Sequence, residues 1–208
     1  MKIVYISDTH GLHDRLDTMN GDMIIHAGDI CNRGTQNEAE QFLDWFKGLD
    51  FKHKIFVAGN HDYFFEKATK EEVNKLIPKG IHYLNDSGVT IDRINIWGSP
   101  VQPWFYDWAF NRQRGAAIKM HWDLIPDNTD ILITHGPPFN ILDKTTSGEK
   151  VGCEDLLHAV KCVKPKIHVF GHIHEAYGIE NEEGTKYINA SVLDVRYNCV
   201  NKPVELEY

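Results

Sequence analysis

Lys2-Ile3-Val4-Tyr5-Ile6-Ser7-Asp8-Thr9-His10-Gly11 decides the reading of this chain. Its apolar half, rich in β-branched and aromatic side chains, predicts a buried strand. The Asp and His two positions apart at the mouth of that strand have the look of two metal ligands presented together. The device recurs in His26-Ala27-Gly28-Asp29, Val57-Ala58-Gly59-Asn60-His61-Asp62, Leu132-Ile133-Thr134-His135-Gly136 and Val169-Phe170-Gly171-His172-Ile173-His174. Five apolar runs thus each deliver Asp, Asn or His just past their last apolar residue.

Outward from these runs, the first half of the chain alternates strand and helix. Residues 2–7, Asp22–Ala27 and His53–Ala58 read as strands. Thr35 or Asn37 caps a helix carrying Ala39, Phe42, Leu43, Phe46 and Leu49 at roughly helical spacing. Glu71–Ile77 reads as a helix stopped by Pro78 and Gly80. Next, Ile81–Leu84, Val89–Asp92 and Ile94–Gly98 have the pattern of a meander. An aromatic-rich loop, Ser99–Phe110, follows; Trp108 and Phe110 are assigned to the core and Trp104, Phe105 and Tyr106 are left open. Ala116–Ile125 and Cys153–Val163 read as helices, Asp130–Thr134 and Ile167–Phe170 as strands. Ala176–Glu180, Lys186–Ala190 and Val204–Tyr208 complete a second group of strands. The expected fold is α/β, a two-sheet sandwich flanked by helices, in one domain spanning residues 1–208. Ligand sites in such folds collect at strand carboxyl ends, where all five polar clusters lie.

The 208 residues carry a formal net charge of −8, which argues against an extended nucleic-acid or anionic-membrane surface. It does not exclude a small anionic substrate, such as a phosphate ester, since bound cations reverse the local field of an acidic protein. No apolar run approaches the ~18 residues of a membrane span, and the chain enters its first strand at once. The four cysteines show no CxxC spacing and read as reduced, buried thiols of a cytoplasmic protein. Oligomeric state is not legible.

Asp8, His10, Asp29, Asn60, His135, His172 and His174 supply three oxygen donors and four imidazoles. That is more than one tetrahedral zinc site uses. It fits two ions sharing a carboxylate, and mixed N/O donors suit Mn, Fe, Zn, Ni or Co rather than calcium. Two ions so held clamp the entering and leaving oxygens of an in-line displacement at phosphorus.

The ordered blocks Asp8-x-His10, Gly28-Asp29, Gly59-Asn60-His61-Asp62, Thr134-His135 and Gly171-His172-x-His174 resemble the calcineurin-like metallophosphoesterase superfamily. Gly98-Ser99-Pro100, Trp108-Ala109-Phe110-Asn111, Thr134-His135-Gly136-Pro137-Pro138 and Val151-Gly152-Cys153 resemble its small metallophosphoesterase-domain (239-type) phosphodiesterase branch. The resemblance implies that Asp8, His10 and His174 hold a first ion, that Asn60, His135 and His172 hold a second, and that Asp29 bridges them. It implies two divalent ions, Mn foremost with Fe, Zn, Ni, Co or Mg as alternatives. It further implies hydrolysis of small or cyclic-nucleotide phosphodiesters by a metal-bridging hydroxide, with His61 assisting the leaving group. A metallophosphoesterase-fold scaffold and a nuclease are the alternatives. The sequence departs from the superfamily at Asn32, where many members carry an Asp that orients the catalytic histidine. His61 then has three candidate acceptors: Asn32, Asp62 or a backbone carbonyl. Arg33 and His13 are candidate substrate contacts. His26, His53, His82, His121, His158 and His168 read as structural or solvated.

Overall fold

A computed structural model describes all 208 residues. The first sheet contains β1 (Lys2–Ile6), β2 (Met23–His26), β3 (His53–Phe56) and β4 (Ile81–Tyr83), all parallel. The second contains β5 (Ser87–Ile91) and β6 (Ile94–Ser99). A separate parallel pair, β7 (Gln102–Pro103) and β8 (Asn111–Arg112), holds the base of the aromatic loop. The second sheet continues through β9 (Ile131–Thr134), β10 (Ile167–Phe170), β11 (Gly178–Glu182) and β12 (Thr185–Asn189), in spatial order β11-β12-β10-β9-β6-β5. The last strand, β13 (Val204–Glu207), returns to the first sheet and pairs antiparallel with β1.

Burial explains why these strands read as continuous apolar runs rather than alternating ones. Ile3 and Tyr5 of β1 point into the core between the sheets, with Ile25, Ile55, Ile133 and Val169. Their neighbours Val4 and Ile6 point the other way, under α1 (Gln36–Gly48), α2 (Tyr63–Lys67) and α3 (Lys70–Leu76). On the far side, Leu132, Phe170 and Tyr187 pack under α4 (Ala116–Trp122) and α5 (Glu154–Val163). Both sheets are therefore covered on both faces, giving four layers.

Local chemistry sets the helix ends. Thr35 and Glu38 form a capping box at α1, and Thr69 and Glu72 form another at α3. The Sγ of Cys153 accepts from the Leu156 N–H at 3.4 Å, so Cys153 caps α5 rather than joining it. All four cysteines are free, but Cys31 and Cys153 alone are buried; Cys162 is exposed and Cys199 half-buried. No helix is long and apolar enough to cross a membrane.

The expected meander is not one unit. Ile81–Tyr83 lies parallel beside β3 in the first sheet, whereas β5 and β6 form a hairpin in the second. Likewise β13 leaves the group it was expected to complete. Both errors have one cause: a short apolar run shows that it is a strand but not which neighbour it pairs with. The site is positioned by register. Ile6, His26 and Phe56 lie side by side at the end of the first sheet, as do Ser99 and Thr134 in the second. A parallel bridge between Ser7 and Ser191 joins the two edges.

Candidate metal centre

The five polar clusters leave β1, β2, β3, β9 and β10 at their carboxyl ends and converge on one spot. Asp8, His10, Asp29 and His172 all take positive φ, from 44° to 69°. Non-glycine residues seldom adopt that region, and a cluster of them marks a place where structure is held against local preference. Close approach is made possible by missing side chains. A Cβ at Gly59 would overlap Asp29 and His135, and one at Gly171 would overlap Asp8 and Ser7.

Asp8, His10 and His174 form one group of donors and Asp29, His135 and His172 a second, with ligand atoms within 4.8 Å in each, and a third group, His10, Asp29 and His61, overlaps both. In the first, His174 Nε2 lies 3.4 Å from Asp8 Oδ1 and 3.4 Å from His10 Nε2. In the second, His135 Nε2 lies 3.4 Å from Asp29 Oδ2 and 3.0 Å from Asn60 Oδ1. The same Oδ2 of Asp29 is 3.6 Å from His10 Nε2, so one oxygen faces both groups.

Backbone groups aim these donors. The Nδ1–H of His135 donates to the Ala27 carbonyl at 3.0 Å, and that of His174 to the Asp194 carbonyl at 3.1 Å. Each ring is thereby oriented with Nε2 toward the cluster, the second-sphere arrangement of metal-binding histidines. Asp8 accepts from the Ser191 hydroxyl at 2.7 Å and from the His172 N–H at 3.1 Å. The His61 N–H donates to Asp29 Oδ1 at 2.8 Å, leaving Oδ2 for the shared position.

Charge follows from this packing. Burial disfavours a charged imidazole, yet Asp29 beside His135 and Asp8 beside His174 outweigh it and lift both to about 9. Burial wins at His10 and His172, which fall to about 4. Burial would also raise the Asp8 carboxyl, but the hydrogen bond from His174 and the fields of His135 and His10 hold it well below the usual range. Two buried carboxylates and four imidazoles packed this closely are costly as core filling; buried charges are kept where they pair or coordinate a metal. The donor set fits divalent cations with mixed N/O preference.

His61 stands beside this cluster. Its ring meets His10 edge-on at 4.5 Å and stacks on Trp108 at 4.4 Å, and it groups with His10 and Asp29. Of its three candidate acceptors, the structure selects a backbone carbonyl: His61 Nδ1–H donates to Asn32 O at 2.7 Å. The Asn32 side chain is not used. Asp62 points elsewhere, accepting from the N–H groups of Ile30, Cys31 and Gly59 and so tying the second and third loops together.

Of the two candidate substrate contacts, His13 is not brought to the cluster. His13 is 5 % exposed, with its ring 4.8 Å from Trp45 and 5.8 Å from Phe42, beneath α1. Arg33 is exposed, one residue past the carbonyl that accepts from His61, and lines a hollow with Gly34, Tyr63 and Lys67. His26 and His168 are buried, hydrogen-bonded to Thr9 and Thr134. Trp108 is half-buried on His61 rather than in the core, while Phe110 is buried as expected. Sequence reasoning missed Ser191, the Asp194 carbonyl and Tyr197, whose ring lies 4.8 Å from His10 and 5.6 Å from His174. None of these carries a motif; contact across the fold is their only signal.

The model of the calcineurin-like phosphoesterase family matches residues 1–176. The human metallophosphoesterase domain-containing protein 1 is 42% identical over 230 residues, covering 99% of this chain and 70% of that protein. A UPF0046 protein of Caenorhabditis elegans is 34% identical over 216 residues, covering 98% of this chain and 74% of its own length. Among solved structures, the phosphopantetheinyl hydrolase of Mycobacterium tuberculosis superposes with a TM-score of 0.67 at 14% identity, over 94% of this chain and 90% of that one. With the strand-end donors in family order and a family match over most of its length, this chain belongs to the calcineurin-like phosphoesterases.

Proposed function

We propose that this chain is a binuclear metal-dependent phosphodiesterase acting on small phosphodiesters, cyclic nucleotides among them. The observation that carries the reading is the Oδ2 of Asp29, which faces His10 of the first donor group at 3.6 Å and His135 of the second at 3.4 Å. Asp8, His10 and His174 would hold one divalent ion and Asn60, His135 and His172 another, with Asp29 between them. Mn is the first choice, and Fe, Zn, Ni, Co or Mg suit the same donors. When bound, such ions supply Lewis acidity toward phosphoryl oxygens and bring the pKa of a water close to neutral.

The chain's own residues supply the rest. The Asn32 carbonyl accepts from His61 Nδ1–H, which leaves Nε2 as the nitrogen that can pass a proton to a departing ester oxygen. A carbonyl accepts equally before and after that transfer, so the ring keeps its aim. Trp108 covers one face of the imidazole and limits its rotation. Ser191 and the His172 N–H keep Asp8 in place. Free thiols accord with a reducing, cytoplasmic setting.

A metal-by-substrate matrix tests the proposal. Metal-stripped protein is reloaded with each ion and assayed on aryl phosphate mono- and diesters and on 2′,3′- and 3′,5′-cyclic nucleotides. Hydrolysis of diesters with at least one ion is expected. Bound metal with turnover confined to monoesters would remove the diesterase reading; no turnover with any ion would remove the enzymatic one.

A further inference from the structure

The loop between β7 and β8 exposes three consecutive aromatic residues: Trp104 by 55%, Phe105 by 51% and Tyr106 by 68%. An exposed apolar patch of this kind marks a place where something binds. The loop is also tied down. Trp104 N–H donates to the Arg112 carbonyl at 2.8 Å, and the Asn111 amide donates to the carbonyls of Phe105 and Tyr106 at 3.1 and 3.0 Å. Ala109 N–H donates to the carbonyl of Asn60, itself a candidate ligand, at 3.2 Å. The aromatic side chains are therefore held out in a fixed frame anchored to the metal centre, which lowers the ordering cost of binding.

Beside this loop lies a cavity of about 320 Å³, lined by Trp104, Phe105, Pro137, Val151 and Arg114 and reaching the candidate ligand His172. No carboxylate lines it. The guanidinium of Arg114 donates to the carbonyls of Val151 and Gly152, at 2.8 Å each, and forms no salt bridge, so a positive charge stands in the lining. A hollow with aromatic walls, one positive charge in its lining and a floor at the candidate ligand His172 suits a flat organic group attached to a phosphoryl group.

We propose that this cavity is the subsite for a planar aromatic substituent of the substrate, an aryl ring or a nucleobase, stacked on Trp104 and Phe105. The inference rests on the metal-centre reading above, because a phosphoryl group held there is what delivers its substituent to His172. Stacking on such platforms tolerates any flat π-face, so ring identity matters less than planarity.

The test is equilibrium binding to Mn-loaded protein, measured by calorimetry with ligands that share a headgroup and differ in the ring. Phenylphosphonate is compared with methylphosphonate, and a nucleoside 5′-monophosphate with ribose 5-phosphate. The ring-bearing member of at least one pair should bind roughly tenfold more tightly; which pair shows the gain separates aryl from nucleobase. In the Trp104→Ala/Phe105→Ala double variant that preference should fall to within about twofold, with the ring-free ligands unaffected. Trp104→Leu, which keeps apolar bulk without the ring, should also reduce it and guards against a merely loosened loop. Ring-free and ring-bearing ligands binding alike, or a preference that survives both variants, overturns the subsite and leaves the patch to a protein partner. Binding of none of the four ligands overturns the metal-centre reading instead.

Discussion

The two sheets bring different chemistry to the same edge. The first delivers Asp8, His10, Asp29, Asn60 and His61, and so every oxygen donor; the second delivers only imidazoles, from His135, His172 and His174. Without metal, Asp8 and Asp29 keep His174 and His135 protonated, so the halves attract as anion and cation across the seam. With metal, the same protons must leave. The centre is therefore a joint between sheets, and neither sheet holds a complete set.

The sharpest way to break this comparison is at the shared atom. Asp29→Ala should lose metal from both groups and lower turnover on the order of 10³-fold or more, whereas His172→Ala should deplete only one ion. Metal analysis of the two purified variants checks it; equal, single-ion losses would mean that Asp29 does not bridge. His61→Ala should retain both ions while turnover falls on the order of 10²-fold, since the ring assists a proton rather than a cation. Loss of metal in that variant would make His61 a ligand.

The seam also has a predicted pH signature. His135 and His174 hold protons up to about 9, so metal affinity should climb as pH rises toward that value and level off above it. Stability of the metal-free protein should move the other way. A base whose pKa is raised on folding contributes fully below its ordinary value near 6.5, and that contribution is lost as pH rises through about 9. Calorimetric titrations and thermal melts across that range measure both, and parallel trends would sink the account.

Smaller effects probe how the sheets are fitted together. Gly171→Ala puts a methyl group into Asp8 and Ser7 across the seam and should cost about 2 kcal/mol of stability, readable in a denaturant melt. Asn32→Ala should be nearly silent, within about twofold in turnover, because His61 uses the Asn32 carbonyl and not its side chain. A large loss there would return the role to the amide.

Much of this was legible from residues alone, and unevenly so. Strand ends were visible because Gly-Asp, Gly-Asn and Gly-His follow continuous apolar runs, and strands buried on both faces leave that trace. Pairing was not visible. Ile81–Tyr83 and β13 carry the same local pattern wherever they dock, so their membership of the first sheet emerged only from packing. Trp108 looked like core because it is large and apolar; its place on His61 depends on a loop held by Tyr63, Asn60 and Arg112.

By itself the sequence determined the donor types, their order and the layered fold, because strand burial and donor chemistry are written in short, local patterns. Tertiary structure alone decided that one oxygen of Asp29 faces both donor groups, that a carbonyl rather than Asn32's amide orients His61, and that Ser191 and Tyr197 stand at the site. Those are contacts between residues up to 183 positions apart. Their geometry comes from how two sheets close on each other, which no local pattern encodes.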